Sequence, residues 1–578
     1  MLKRVLIVVA IAVLLAGGAF WLLRDQAAPP EGAMTQEEMA RAVGGPVMLN
    51  LVRGHVPGRS GEIMLVPKPH HFMINEWDLR TLGGEPEIKT THPGPWSYLS
   101  RVPIVVRGPG IAPGTIVKRP VDITSIAPTY ADLLGMDDFE SPSDPLPEVA
   151  GTPGSPLKAI VTIVIDGGGW NVLDRYPEAW PNIARVMDEG VTYQGATIGS
   201  APSTTGALHA TFGTGFYPMD HGIPGNVLRD DDGEVVDVFY GKDSDLRHLK
   251  KPTVSELWDE RNDNDAVVGT VSIENWHLGM IGKGALRDGG DRDFAAFWDR
   301  HKERWTVNEE YFRLPKALKP TDLARLERYE AELDARDGQT GDGWFGNDID
   351  EIVATESQRS TTPAMVKLMG DGVVRTFDDE GVGNDDITDL VWIEMKMPDS
   401  AGHAWNMINP EIEDVLTQTD AEIGRFIDEL DERLGRDGYL LTISADHGQQ
   451  PLPGEVGGWT INTSELERDI VARFGPVLGN ASPADLFLDP DGLSGAGVTI
   501  EDVATWIGTY TLGENVPDGA PGRDLVPQDR LDDTLYAGAF TSAFLADPQL
   551  DLESLGEGDY GRHGRFPVIY NLGRPSGG

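Results

Sequence analysis

The chain of 578 residues is long enough for two to four domain-sized units, and its hydrophobic content of 40% with 14 Trp excludes a disordered protein. Its formal net charge of −45 argues against nucleic-acid binding, because contact with a phosphate backbone needs a basic surface. The sequence contains no Cys, which excludes disulfides, thiolate metal sites and a cysteine nucleophile, so any metal must be bound by His and carboxylates.

The first predicted element is an apolar run, Val5–Leu23, which two basic residues precede and Arg24 follows. A helix of this length comes close to the thickness of a bilayer core, so residues 1–24 are predicted to form a transmembrane anchor. Positive charge before the span predicts a cytoplasmic N-terminus and a chain body outside the cytoplasm. The alternative is a signal peptide that is cleaved near residues 16–18, which would give a secreted protein.

Composition divides the rest of the chain into blocks. Residues 25–42 are predicted as a linker, and residues 43–140 form a first globular block with short apolar strands and one helix-like stretch. Residues 141–158 are rich in Pro, Gly and Ser, which predicts a second linker. Residues 159–563 form the main domain, and residues 564–578 form a tail.

Apolar runs and helix-like patterns alternate in the main domain. The runs cover residues 159–165, 266–272, 389–394 and 439–443. This alternation predicts an α/β fold with a mostly parallel central sheet flanked by helices. A charged stretch at about 297–385, partly helical, is predicted to be an insertion that caps the sheet.

Polar side chains that can bind metal or act as nucleophiles follow the apolar strands. Taken singly, each has an ordinary explanation, since Asp-Gly after a strand is commonly a turn and Thr before a helix is commonly an N-cap. Because ligands in open α/β sheets bind beyond the carboxyl ends of the strands, however, these loops should converge. The residues are Asp166, Thr205, Asp399, His403, Asp446 and His447.

Together these segments resemble the type I phosphodiesterase/nucleotide pyrophosphatase branch of the alkaline-phosphatase superfamily, and they are also similar to the phosphate-irrepressible bacterial alkaline phosphatases. The family pattern appears here as Ile165-Asp166-Gly167, Thr205–Ile223, Pro398–His403 and Ser444–Gly448. The resemblance implies that Thr205, four residues before His209, is the nucleophile. It also implies that Asn226 hydrogen-bonds a phosphoryl oxygen. Ala207 stands where the family has Pro.

The resemblance further implies two divalent metal ions, which would be zinc, although the ligand types do not exclude manganese. Asp166, Asp446 and His447 would hold one ion, which would also coordinate Thr205. Asp399, His403 and His92 would hold the other.

The family normally carries its last His near the end of the domain, but the matching segment around His92 here precedes the main domain, which predicts a circular permutation. Such a rearrangement is tolerable where chain termini lie close together at the surface. His563, which also stands before Gly and an apolar run, is the alternative ligand.

These features predict a metal-dependent hydrolase of phosphate esters that acts through a phosphothreonine intermediate and needs no organic cofactor. Glu274 and Trp276 stand where monoester-specific relatives carry Lys and Arg, so small diester or pyrophosphate substrates are favoured over monoesters. The alternatives are an alkaline phosphomonoesterase and an inactive, membrane-tethered binding module of the same fold. The oligomeric state is not predicted.

Overall fold

The computed structural model describes residues 32–74, 88–151, 156–239, 246–337, 343–520 and 523–560. The predicted anchor, the C-terminal tail and His563 lie outside these ranges. No helix within them is long and apolar enough to cross a membrane.

The strands that the described residues form are numbered in chain order. They are β1 (Ile63–Pro67), β2 (Phe72–Ile74), β3 (Ile104–Arg107), β4 (Thr115–Val117), β5 (Val121–Asp122), β6 (Ala159–Ile165), β7 (Val191–Tyr193), β8 (Ala196–Thr197), β9 (Val227–Arg229), β10 (Val235–Asp237), β11 (Val268–Val271), β12 (Phe294–Asp299), β13 (Arg304–Thr306), β14 (Asp389–Met395), β15 (Tyr439–Ser444), β16 (Thr460–Asn462), β17 (Leu478–Ala481), β18 (Asp485–Leu488) and β19 (Tyr536–Thr541).

The α-helices are numbered in the same way. They are α1 (Gln36–Val43), α2 (Gly45–Gly54), α3 (Ser97–Ser100), α4 (Ile126–Leu133), α5 (Trp170–Arg175), α6 (Pro181–Glu189), α7 (Thr205–Thr214), α8 (Pro218–His221), α9 (Val254–Arg261), α10 (Leu323–Asp334), α11 (Ile349–Val353), α12 (Glu356–Arg359), α13 (Pro363–Glu380), α14 (Met397–Trp405), α15 (Pro410–Leu434), α16 (Thr463–Phe474), α17 (Pro490–Ala496), α18 (Ile500–Ile507), α19 (Leu512–Asn515) and α20 (Ser542–Leu545). A 3₁₀ helix, Asn275–Met280, follows β11.

The chain divides into two compact units whose segments alternate along the sequence. The larger unit contains residues 49–59 and the described part of 87–456, and the smaller unit contains residues 32–48, 60–74 and the described part of 457–560. These boundaries differ from the sequence-based ones, which placed residues 457–560 in the main domain.

A nine-stranded mixed sheet forms the centre of the larger unit, in the order β13-β12-β11-β14-β6-β15-β3-β7-β4. The consecutive neighbours from β12 to β15 pair in parallel, whereas β3 runs antiparallel to both β15 and β7. The predicted α/β class is therefore confirmed. The first predicted block, residues 43–140, supplies β3 and β4 to this sheet.

Side chains of β6 alternate between two hydrophobic cores, as a strand between two helical layers requires. Val161 and Ile163 pack in a core with α5, α6, α13 and α15. Ile160 and Val164 pack in the opposite core with α4, α7 and α9. The larger unit is thus a three-layer sandwich.

Part of the predicted cap is instead a layer of this sandwich. Helix α13 lies in the insertion, and its apolar residues share a core with those of α15 and with Val391 and Ile393 of β14. The hydrophobic positions of α13 recur at helical spacing and need a partner surface, which the sheet provides.

Both predicted linkers also contain packed structure. Residues of the first form α1, whose capping box joins Thr35 and Glu38 at its N-terminus. In the second, Leu146 and Val149 are buried in the core of the larger unit. The Pro-rich composition predicted a linker although it contains the buried residues Leu146 and Val149.

The smaller unit has a four-stranded antiparallel sheet in the order β17-β18-β1-β19. Apolar side chains of α16 and α18 pack on this sheet in a core of their own. A separate parallel pair joins β2 to β16.

Candidate metal centre

Three neighbouring strands place carboxylates at one edge of the central sheet. Ile165 pairs in register with Met395, and Val164 pairs with Ser444, so the loops after β6, β14 and β15 leave the sheet side by side. These loops carry Asp166, Asp399 and Asp446, all fully buried. The backbone N–H of Gly167 donates to Asp446 Oδ1 at 3.1 Å, which ties two of the loops together.

His92 reaches the same place from the block that precedes β6. Its Nδ1 lies 2.6 Å from the Ser203 carbonyl oxygen, and its ring stacks on His447 with centroids 3.5 Å apart. Ser203 Oγ in turn donates to the Gly94 carbonyl at 3.0 Å. The loop before α7 therefore fixes the position of His92, independently of the order of the two segments in the chain.

The side chains form two overlapping groups whose ligand atoms lie within 4.8 Å of one another. In the first, His447 Nε2 lies 3.4 Å from Asp166 Oδ1 and 3.2 Å from Asp446 Oδ2. In the second, His92 Nε2 lies 3.6 Å from Asp399 Oδ1. His403 Nε2 adds a contact of 3.1 Å to Asp399 Oδ2.

Each of these histidines turns Nδ1 to a backbone carbonyl and Nε2 toward the carboxylates. Nδ1 of His92 faces the Ser203 carbonyl, Nδ1 of His403 faces that of Thr90, and Nδ1 of His447 faces that of Gly448. A carbonyl oxygen can only accept, so Nδ1 carries the proton and Nε2 keeps its lone pair. In proteins, metal-bound histidines are oriented by such a hydrogen bond from the ring nitrogen that does not bind the metal, which is Nδ1 here.

Several buried atoms at the centre have no hydrogen-bond partner among the residues described by the structure. They are Asp166 Oδ1, Asp399 Oδ1, Asp446 Oδ2 and His447 Nε2. Buried polar atoms without partners are costly, and oxygen and imidazole donors that converge in this way suit zinc or a similar divalent ion. The residues therefore fit a metal centre.

Lys396 supplies a positive charge between the two groups. Its Nζ lies 2.8 Å from Asp166 Oδ2 and 2.6 Å from Asp399 Oδ2. Burial disfavours ionisation of Asp166, but Lys396, His277 and His447 together outweigh it and hold the pKa of Asp166 below its usual range. Burial and the Asp166 carboxylate together raise the pKa of Asp446 well above its usual value. Asp166 and Asp399 thus share one ammonium group, that of Lys396.

Thr205 is the first residue of α7 and is only 2% exposed. The next residue, Gly206, donates its backbone N–H to Asn226 Oδ1 at 2.9 Å. This contact fixes the Asn226 amide beside Thr205 and leaves its Nδ2 free to donate elsewhere. The N-terminus of a helix also favours bound anions, which is the setting a phosphoryl group requires.

The sequence analysis missed a third buried group beside Asp166, formed by His209, His277 and Glu394. His277 Nε2 lies 3.1 Å from Glu394 Oε1, and Ser272 Oγ donates to Glu394 Oε2 at 2.8 Å. Burial opposes protonation of His277, but Glu394 outweighs it and raises the pKa of His277 to about 9. A carboxylate inside the otherwise apolar run of β14 was the signal for this group.

The sheet and its cluster of buried His and Asp define an α/β protein with a candidate metal centre. The family model described as type I phosphodiesterase/nucleotide pyrophosphatase matches residues 160–489, and the chain belongs to this family. The predicted membership of the alkaline-phosphatase superfamily is confirmed.

The relatives with curated names are distant. An alkaline phosphatase PafA of Elizabethkingia meningoseptica is 23% identical over 407 residues, which cover 61% of this chain and 72% of the relative. An alkaline phosphatase PhoV of Synechococcus elongatus is 24% identical over 334 residues, covering 51% and 60%. A protein named calcium-transporting ATPase of Myroides odoratus is 25% identical over 334 residues, covering 50% and 60%. The chain thus spans 60 to 72% of the length of these relatives.

Among solved structures, wild-type alkaline phosphatase PafA aligns with a TM-score of 0.49 at 18% identity, covering 68% of this chain and 85% of that one. Murine ectonucleotide pyrophosphatase/phosphodiesterase 5 aligns with a TM-score of 0.34 at 14% identity, covering 66% and 84%.

Proposed function

We propose that the protein hydrolyses phosphate esters, with Thr205 as nucleophile beside two divalent metal ions. The observation that carries this proposal is a set of four buried atoms that converge without hydrogen-bond partners among the described residues, next to the N-terminus of α7. They are His447 Nε2 and one carboxylate oxygen each of Asp166, Asp399 and Asp446. Family membership supports the same chemistry.

Asp166, Asp446 and His447 would hold one ion, and Asp399, His403 and His92 the other, with zinc favoured by the nitrogen and oxygen ligands. The bound ions would supply the positive charge that lowers the pKa of the Thr205 hydroxyl and neutralises phosphoryl oxygens. The other groups at the site belong to the chain itself. Asn226 Nδ2 donates to a phosphoryl oxygen, and the buried position of Thr205 keeps bulk water from the first step.

The reaction has two displacements. In the first, Thr205 Oγ1, having lost its proton, forms a bond to phosphorus as the ester oxygen leaves and takes up a proton. In the second, water attacks the phosphothreonine, its oxygen stays on phosphorus, and the threonine hydroxyl is restored.

Diester and pyrophosphate substrates are favoured over monoesters. At the position where monoester-specific relatives carry a base, Glu274 pairs with Arg300 at 3.2 Å. Lys396, the ammonium group at the centre, is bound to Asp166 and Asp399. A monoester dianion would therefore meet a carboxylate where it needs a cation. The names of the alkaline-phosphatase relatives favour monoesters as the second candidate.

Substitution of Thr205 tests the nucleophile. Thr205→Ala should lower kcat for bis(p-nitrophenyl) phosphate by at least about 10³-fold, and Thr205→Ser should stay within about tenfold of wild type. Thr204→Ala is the matched control, because Thr204 precedes the helix and makes no capping hydrogen bond with its side chain. Acid-quenched wild type should carry phosphate on Thr205 by mass spectrometry. Full activity of Thr205→Ala would disprove the mechanism.

Glu274→Lys tests the substrate class. It should raise the rate on p-nitrophenyl phosphate relative to bis(p-nitrophenyl) phosphate by about 10-fold or more, since a cation would then face the dianion. Glu274→Gln is the control, which removes the carboxylate without adding a base. Wild type that turns over the monoester faster than the diester would favour the phosphomonoesterase.

Measuring the metal content of the purified protein distinguishes the proposed enzyme from an inactive binding module of the same fold. The purified chain should bind two zinc ions, and Asp446→Asn should bind fewer. A preparation that is free of metal and inert after zinc addition would support the inactive module.

We also propose that the body of the chain is outside the cytoplasm, held by the apolar run Val5–Leu23. This proposal rests on the sequence alone. Protease added to intact spheroplasts should remove the body, and a cytoplasmic soluble protein would resist it.

A further inference from the structure

A second acidic cluster lies in the larger unit, formed by residues other than those of the metal centre. Asp259 is on α9, and Asp291 and Asp293 are in the segment before β12. One carboxylate oxygen from each lies within 4.8 Å of the others. Asp259 and Asp293 are 5% and 6% exposed, whereas Asp291 is at the surface.

The cluster surrounds a cavity of about 20 Å³, which is room for one water-sized particle. Glu256, one turn before Asp259 on α9, lines the same cavity and is 5% exposed. Its Oε2 accepts the Thr253 backbone N–H at 2.8 Å and closes the helix cap. Its other oxygen, Oε1, and Asp259 Oδ1 are buried without a hydrogen-bond partner in the described part of the chain.

Two arginines lie near these carboxylates. Arg287 places Nη2 at 2.5 Å from Glu260, which lines the same cavity, and Nη1 at 3.7 Å from Glu256 Oε1. Arg313 pairs with Glu380 at 2.5 Å. The two arginines therefore pair with Glu256, Glu260 and Glu380. Among the described residues, no arginine pairs with Asp259, Asp291 or Asp293, which share the cavity.

We propose that Asp259, Asp291 and Asp293, with Glu256 beside them, form a structural binding site for Ca²⁺. The donors are all oxygens, which is the ligand set of a hard cation and not of zinc. Two oxygens bound to one Ca²⁺ at 2.3–2.6 Å can lie up to about 5 Å apart, which the spacing of the cluster permits. The exposed side chain of Asp291 gives the ion a path from solvent.

The protonation of the cluster agrees with this assignment. Burial raises the pKa of Asp259 to about 7, and burial with the other acids raises that of Asp293 well above its usual value. Without a cation these carboxylates hold protons that a bound ion would displace.

Thermal and chemical unfolding of the full-length chain in detergent, with its zinc sites filled beforehand, tests the site. Calcium at 100 times its Kd should lower the unfolding equilibrium constant about 100-fold, and Mg²⁺ at the same concentration should do less. Asp293→Asn should lose this response. Asp291→Asn, which changes a surface residue and leaves the buried packing intact, should weaken it at least tenfold in Kd.

Asp263→Asn is the matched control, since it removes one exposed acid just beyond α9. It should respond to Ca²⁺ as wild type does. The proposal is overturned if Ca²⁺ does not stabilise wild type, or if it stabilises Asp291→Asn and Asp293→Asn as strongly as Asp263→Asn. The proposal does not depend on the phosphoesterase, because zinc content and ester hydrolysis are measured separately.

Discussion

Histidine tautomers organise the candidate metal centre at the scale of single residues. A side chain with two ring nitrogens can be held by the backbone at one and offer a lone pair at the other. His92, His403 and His447 all use Nδ1 for the first role. His209 does the same, with Nδ1 at 2.8 Å from the Thr205 carbonyl, so the helix that carries Thr205, the proposed nucleophile, also orients a neighbouring imidazole.

His221 is held as a neutral residue in the opposite way. Its Nδ1 accepts the Ile223 backbone N–H at 3.2 Å, so Nε2 carries the proton toward Thr211 Oγ1 at 3.1 Å. Burial lowers the pKa of His221 to about 3. A folded-state pKa below the unfolded value means that its contribution to stability is complete above pH 6.5 and is lost as the pH falls toward 3.

We therefore predict that the difference in free energy of unfolding between wild type and His221→Asn becomes smaller as the pH falls. The difference in their free energies of unfolding should shrink by about 2 kcal/mol between pH 7 and pH 5, because only the unfolded wild type gains a proton there. Urea unfolding at the two pH values measures this, and all other titrating groups are common to both proteins. A pH-independent gap for His221→Asn would contradict the prediction.

At the scale of elements, glycines set the distance between α7 and the 3₁₀ helix Asn275–Met280. A Cβ on Gly279 would lie 2.7 Å from the Ala210 backbone nitrogen, and one on Gly213 would lie 2.3 Å from the Gly279 carbonyl oxygen. Only glycine permits this approach of two backbones. The approach brings His277 toward His209, with ring centroids 4.6 Å apart.

Gly279→Ala should move α7 and with it Thr205. We expect a loss of about 1–3 kcal/mol in the free energy of unfolding, because the new methyl group meets backbone that cannot rotate away. Hydrolysis should fall by more than the folded fraction accounts for. Urea unfolding and steady-state kinetics on one preparation separate the two effects.

Gly454→Ala is the control, since its Cβ would meet no atom of the described structure within 4 Å. If Gly279→Ala behaves like Gly454→Ala, the close approach of the helices does not position the nucleophile.

The elements that the sequence predicted best were those with a strong local pattern. The apolar runs at 159–165 and 439–443 are β6 and β15, since a buried parallel strand needs apolar residues on both faces. The predicted metal ligands Asp166, Asp399 and Asp446 lie close together because the register of neighbouring strands brings their loops to the same edge of the sheet. Helix α1 was missed although Thr35-Gln36-Glu37-Glu38 is a capping-box signature. Lys396 had no local signal of its position between Asp166 and Asp399, which tertiary packing alone decides.

At the scale of the whole molecule, the block before β6 builds the same sheet and the same candidate metal centre as the segments after it. Strand β3 lies beside β15 in the sheet, and His92 lies beside His447. Both β3 and His92 come from the block before β6. The family match begins at residue 160 and leaves this block outside. Strand pairing depends on the positions of the elements and not on their order in the chain, provided that the connections can span the gaps.

The two ends of the described chain meet in the smaller unit. Gly45 donates its backbone N–H to the Gly556 carbonyl at 2.9 Å, and Asp559 donates to that of Ala42 at 2.7 Å. A linker from residue 560 to residue 32 would have to run back along α1, about 12 Å at 1.5 Å per residue, and along residues 32–35, at most about 13 Å when extended. Ten Gly/Ser residues cover that distance with slack, since an extended chain spans about 3.3 Å per residue.

We predict that a chain reordered as residues 156–560, a ten-residue Gly/Ser linker and residues 32–151 folds to the same structure. This order places His92 after the main strands, as in the family, and opens the chain at residues 152–155, between the core residues Val149 and Leu157. Its zinc content and diester hydrolysis should match those of a 32–560 chain, with a melting temperature within a few degrees. A second reordered chain, opened after Gly167, should fail, because the Gly167 N–H that binds Asp446 would then lie at a free chain end. The first chain could instead lose zinc binding while its circular dichroism stays native. That result would mean that His92 needs the natural connection between residues 151 and 156 to reach the metal centre.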